Sequence, residues 1–189
     1  IKVFLERPAE IFSDIQGFDE IDSSCSEDTV FDVFFCLDCA DERLGESRKY
    51  FMQAGKTINI DHHISNEGCG TLNYIQPQAS SASELIYDLI EKEQLDQELA
   101  KAIYIGIIHD TGVFQYSNTL PETMEKAAKL IGYGFDFPKL IQETFYQKTY
   151  KQTQITGRAL VESVLFLDGR CIVSCMTQTM MDFYGAEPA

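Results

Sequence analysis

Apolar positions along the chain follow two different periods. In the first part they gather in short runs that close on an acidic residue. Val30 to Asp38 (VFDVFFCLD) is one such run, and Lys56 to Asp61 (KTINID) is a second. Runs of this kind suit strands buried on both faces of a parallel sheet. Residues 1–5 (IKVFL) and 71–75 predict two further short strands, with a mixed segment over 6–30. Residues 42–54 predict a helix.

From residue 81 the period becomes helical. Ser81-x-x-Glu84 forms a capping box, and Leu85, Ile86, Leu89 and Ile90 mark the buried face of the helix it opens. Asp96 predicts the cap of a helix that carries the apolar stretch 102–108 to about Asp110, where Thr111-Gly112 breaks it. Thr119-x-x-Glu122 with Pro121 opens another helix, which Gly132 closes. Residues 136–146 and 149–162 are helical by pattern. Residues 164–175 predict a hairpin turning at Asp168-Gly169, and a short helix follows near 178–184. Strands interspersed with helices predict an α/β fold, a mainly parallel sheet flanked by helices. The hairpin changes the style, so one domain is expected over 1–160 and the beginning of a second over 161–189.

Charge narrows the range of partners. The 189 residues carry 15 Lys and Arg against 30 Asp and Glu, a net charge of −15. Such a surface does not grip long duplex nucleic acid by its phosphates. Acidic proteins still act on phosphates when bound cations supply the positive charge. The stretch 102–108 is far shorter than the roughly 18 apolar residues that a membrane span needs, so no membrane partner is expected. Six cysteines in a chain of this length, with no signal peptide at its start, predict a reduced cytoplasmic protein. Cys36-x-x-Cys39 has redox or zinc spacing, but odd spacing on a strand points the two thiols to opposite faces.

All three histidines fall in two short motifs. Asp61-His62-His63 follows one strand, and His109-Asp110-Thr111-Gly112 ends a helix. Asp38 closes the other strand. Ligands of open α/β sheets bind outside the carboxyl ends of the strands, where Asp38 and the Asp-His-His triplet converge and Asp110 can join them. Singly, each has a plain reading: Asp at a strand end turns or caps the chain, and His109 fits a partly buried helix position. Together, carboxylates and imidazoles suit a divalent transition metal, manganese before zinc.

Asp61-His62-His63, followed by Asn66 and Asn73, resembles the signature of the DHH phosphoesterases, and within them the RecJ-like branch of the nanoRNase/pAp-phosphatase type. The strand ending Leu37-Asp38-Cys39-Ala40-Asp41, with Arg43, resembles the family's second motif. Gly106 to Phe114 (GIIHDTGVF) resembles its fourth. The resemblance implies a DHH domain and a manganese-dependent phosphoesterase. Its substrates would be short oligonucleotides or small nucleotides such as 3'-phosphoadenosine 5'-phosphate, hydrolysed by a two-metal mechanism. Asp38 would bridge two Mn2+ ions, with Asp41 as a second candidate for that role. His62 and Asp110 would bind one of the ions, and His63 would face the scissile phosphate as the catalytic residue. Asp61 and Asn66 would stand behind them, Asp61 fixing a histidine's orientation.

Other family features are not found in the chain. One is the first motif, a His and two Asp after the first strand. The other is the GGGH-type loop of the C-terminal substrate-binding (DHHA1-like) domain. The chain is therefore expected to be truncated at both ends, with residues 161–189 only the linker and start of that domain. Two other activities share the site chemistry, a cyclic-dinucleotide phosphodiesterase and an exopolyphosphatase. A non-catalytic nucleotide-binding regulatory module is a third reading. An exposed sheet edge also predicts a possible homodimer.

Overall fold

The computed structural model describes residues 1–185. The fold is α/β, and it divides into two compact units between Phe145 and Tyr146. The first unit opens with two short parallel strands, β1 (Val3–Phe4) and β2 (Ile21–Asp22). Its main sheet has three parallel strands, β3 (Val33–Leu37), β4 (Lys56–Asp61) and β5 (Leu72–Ile75), in that order. Central β4 buries Thr57, Asn59, Ile60 and Asp61.

Strand β3 differs from its expected burial on both faces. Phe34 and Cys36 are buried, whereas Val33, Phe35 and Leu37 are 42%, 56% and 47% exposed. The strand lies at a sheet edge, and among the described residues only one of its faces is packed into a core cluster, with Tyr50, Phe51 and Cys25. Phe4 of β1 stacks on Tyr50 at 4.6 Å between ring centres.

The helix expected over 42–54 is shorter. Two 3-10 turns, Asp41–Arg43 and Gly45–Ser47, precede α1 (Arg48–Gln53). The Ser47 hydroxyl donates to the Leu44 carbonyl at 2.7 Å, a local bond that competes with regular helix.

The larger core is helical. It is built from α2 (Ala82–Leu89), α3 (Gln97–Asp110), α4 (Pro121–Ile131) and α5 (Phe137–Ile141), the last running into a π-type turn over Gln142–Tyr146. Helix α3 is central, with Ile103, Tyr104, Ile107 and Ile108 all buried, as an apolar stretch on every side requires. Gly106 lets α2 approach: a Cβ there would lie 1.9 Å from the Ser83 hydroxyl. Asp96 caps α3, its carboxylate accepting from the Leu99 amide at 2.8 Å.

Two other caps differ from expectation. Ser81 accepts from the Glu84 amide, but the Glu84 carboxylate binds the Ser80 amide, so the box is not reciprocal. At α4 the helix starts one residue later than expected. Thr123, not Thr119, binds the N-cap, accepting from the Leu120 amide at 3.4 Å.

The second unit holds α6 (Tyr150–Val161), an antiparallel hairpin of β6 (Val164–Phe166) and β7 (Cys171–Val173), and α7 (Gln178–Tyr184). Helix α6 thus groups with the hairpin. Leu167, Asp168 and Gly169 all adopt left-handed backbone in the hairpin turn. No helix among the described residues is long and apolar enough to cross a membrane.

Candidate metal centre

Strand register sets the site. Leu37 of β3 pairs with Ile60 of β4, so the next residues, Asp38 and Asp61, leave the sheet side by side. The Asp38 amide still donates to the Ile60 carbonyl at 2.9 Å. Beyond that bond the chain turns, with Asp38 at φ +60°, a left-handed conformation that Asp tolerates better than most side chains. The turn has a second effect. It returns Cys39 beside Cys36, with the sulfurs 3.6 Å apart, which overturns the expectation of opposite faces.

Asp61 is buried and saturated with donors. Its Oδ1 accepts from the amides of His62 (2.6 Å) and His63 (3.0 Å) and faces His63 Nδ1 at 2.6 Å. Its Oδ2 accepts from Asn66 Nδ2 at 2.5 Å. Burial pushes the Asp61 carboxyl up, but Asn66 and the His63 and His62 donors outweigh it and hold the group below the ordinary value. Asn66 also reaches the Asn59 side-chain oxygen at 3.1 Å.

His62 is oriented through its other nitrogen. Nδ1 lies 3.2 Å from the Ala79 carbonyl, which can only accept, so Nδ1 carries the proton of that bond. Nε2 then points between two carboxylates, 3.3 Å from Asp110 Oδ2 and 3.4 Å from Asp38 Oδ1. It is buried and makes no hydrogen bond of good geometry. Asp110 and Asp38 push the His62 pKa up to about 10, a measure of how strongly this spot demands positive charge. A divalent cation answers that demand, and a mixed nitrogen and oxygen donor set fits one. Asp38, Asp61, His62 and His63 each bring one ligating atom within 4.8 Å of all the others.

Asp110 arrives from the C-terminal end of α3. His109 beside it turns away, its ring set between Phe12 (5.3 Å) and Phe145 (5.4 Å), with Nε2 3.3 Å from the Thr144 hydroxyl. Burial pushes the His109 pKa down. Asp41, the second candidate for the bridging role, is paired elsewhere: Arg48 donates to its Oδ2 at 2.9 and 2.7 Å. The geometry therefore gathers Asp38, Asp61, His62, His63, Asn66 and Asp110 and leaves Asp41 and His109 outside.

Three supporting residues do not stand out in the sequence. Fully buried Asn59 donates to the carbonyls of Cys36 and Cys39, bracing the turn that carries Asp38. A polar side chain at a buried position of KTINID is the one local signal for it. Ala79 acts through its backbone alone and leaves no signal. Asn118 donates to the Ser80 and Asp110 carbonyls.

Comparison with known proteins identifies the family and the fold. Residues 3–107 match the model of the DHH family, N-terminal domain. The bifunctional oligoribonuclease and PAP phosphatase NrnA of Bacillus subtilis is 32% identical over 146 residues, which is 75% of this chain and 45% of that protein. NrnA of Thermus thermophilus is 38% identical over 88 residues, 46% of this chain and 27% of that protein. This chain thus spans less than half the length of these relatives. The crystal structure of an exopolyphosphatase-related protein from Bacteroides fragilis superposes with a TM-score of 0.86 at 22% identity, covering 98% of this chain and 59% of that one. With the matching segment extending over more than half of its length, the chain belongs to the DHH family.

Proposed function

We propose that this chain carries the manganese-binding and histidine machinery of a cytoplasmic phosphoesterase. Its substrates are short oligonucleotides or small nucleotides such as 3'-phosphoadenosine 5'-phosphate. The observation that carries the reading is His62 Nε2, buried without a hydrogen bond and aimed between Asp38 and Asp110. The activities for which the two NrnA relatives are named support the substrate class.

Asp38, His62 and Asp110 would hold the cation, with Asp38 shared between two ions in a complete site. A bound divalent pair supplies Lewis-acid stabilisation of phosphoryl oxygens and an activated water. His63 is braced at Nδ1 by Asp61, which leaves Nε2 for a phosphoryl oxygen. Asp61 serves that bracing and not the cation, because its oxygens already take four donors. Asn66 fixes Asp61 in turn.

The test is hydrolysis of a dinucleotide and of 3'-phosphoadenosine 5'-phosphate by the full-length protein, with manganese supplied and then chelated. Asp38→Ala and chelation should each lower the rate by a factor of a hundred or more, in line with the loss of a metal-centred step. Full activity in Asp38→Ala would sink the assignment. A cyclic dinucleotide and polyphosphate in the same panel separate the related activities.

A further inference from the structure

We propose that Asn118 is a positioning residue of the metal centre, locking His62 and Asp110 into one relative geometry. This rests on the proposed metal role of those two residues. The Asn118 side-chain amide donates to the Ser80 carbonyl at 2.9 Å and to the Asp110 carbonyl at 3.2 Å. Ser80 adjoins Ala79, whose carbonyl holds His62 Nδ1. His62 Nε2 faces the Asp110 carboxylate. The contacts form a closed circuit from His62 through Ala79, Ser80, Asn118 and Asp110 back to His62. Without Asn118 the circuit is open, and the loop that orients the imidazole loses its direct side-chain tie to the helix end that presents the carboxylate.

Two further observations show that the fold sustains strain and an unpaired atom to keep this link. Asn118 Oδ1 is buried with no hydrogen-bond partner. Flipping the amide would set that oxygen against two carbonyls, so the donors face the circuit and the acceptor goes unpaired. Asn118 also returns to the end of α3 only because the chain reverses there. Gly112, Val113 and Phe114 are three successive left-handed residues, at φ +56°, +55° and +64°. A β-branched residue such as Val113 takes that conformation only when its surroundings impose it. Gly112 opens this run without strain, and a Cβ there would lie 2.4 Å from the exposed Tyr116 ring, which would have to move aside.

The experiment is a manganese(II) titration of this chain followed by electron paramagnetic resonance of the free ion. Asn118→Ala should bind manganese about tenfold more weakly, the usual effect of losing a group that orients a metal ligand. Tyr50→Phe removes a part-buried hydrogen bond to the Glu27 carbonyl that is not a member of the circuit and should leave the affinity unchanged. If Asn118→Ala does not fold, Asn118→Ser, with one donor in place of two, is read the same way. Equal affinity in the unaltered chain and the folded Asn118 variant overturns the inference alone. Equal weakening in Tyr50→Phe also overturns it, because the loss would then follow stability. No binding by the unaltered chain at millimolar manganese overturns the metal reading, and this inference with it.

Discussion

Glu84 is 4% exposed, with Oε2 accepting from the Ser80 amide (3.0 Å), the Ser80 hydroxyl (2.5 Å) and the Thr123 hydroxyl (3.0 Å). Lys126 donates to Oε1 at 2.9 Å and to Asp88 at 2.6 Å. Burial alone would raise the Glu84 pKa, but Lys126, Ser80 and Thr123 outweigh it and hold the group below 4.5. The folded chain therefore prefers the ionised form more than the unfolded chain does. The resulting stability is present above the unfolded value and is lost as the pH falls through the folded one. Glu84→Gln should lose about 1.5–3 kcal/mol at pH 7, the range for hydrogen bonds to a charged group. Urea unfolding of both proteins checks this, and the gap should narrow as the pH is taken down below 4.5. Equal stability at pH 7 would show that the carboxylate is not favoured over its neutral isostere.

Strand β3 makes the corresponding case for an element, because neighbouring phenylalanines face opposite environments. Phe34 is 9% exposed and packs edge-on against Phe51 at 5.7 Å, whereas Phe35 is 56% exposed. Phe34→Ala should cost about 3 kcal/mol through lost burial and the cavity left behind. Phe35→Ala should cost less than about 1 kcal/mol, as exposed positions do. Equal costs in thermal or urea unfolding would mean that both faces of β3 are covered in solution. The same strand shows where sequence reading stops. Its existence and its closing Asp38 are legible, because a run of large apolar residues marks a strand whatever surrounds it. Its one-sided burial is not, because that depends on which elements pack against it. Caps divide in the same way. Asp96 is legible because its partner, Leu99, lies three residues away. Thr123 is missed in favour of Thr119 because Pro121 at the first helical position moves the cap to Leu120. Within the site, the ligating types announce themselves by chemistry, and strand ends bring Asp38 and Asp61 together. Asn118 does not, since its bond to Ser80 spans 38 positions and no local pattern carries that distance.

At the scale of the whole molecule the dominant fact is the charge of −15, set against the anionic substrates proposed for the site. Proteins that hold long nucleic acid release counterions as Lys and Arg neutralise phosphates, so their affinity falls steeply as salt rises. This chain has twice as many acidic as basic residues, 30 against 15, so its long-range field repels a polyanion. Attraction has to come from the cations proposed at Asp38, His62 and Asp110, and it would act only over the few ångströms around them. Screening at physiological salt has a Debye length of about 8 Å, too long to hide such a local site and short enough to weaken the distant repulsion. Binding of a single-stranded RNA of about 24 nucleotides should therefore be undetectable at low salt, and any binding should strengthen as salt rises, the reverse of a basic binding groove. A dinucleotide with manganese present should bind with little salt dependence and lose its binding on chelation. Fluorescence anisotropy across a salt series tests both. Long-RNA affinity that falls by several powers of ten with salt would reveal a cationic path along the surface, and the short-substrate reading would then lose its physical basis.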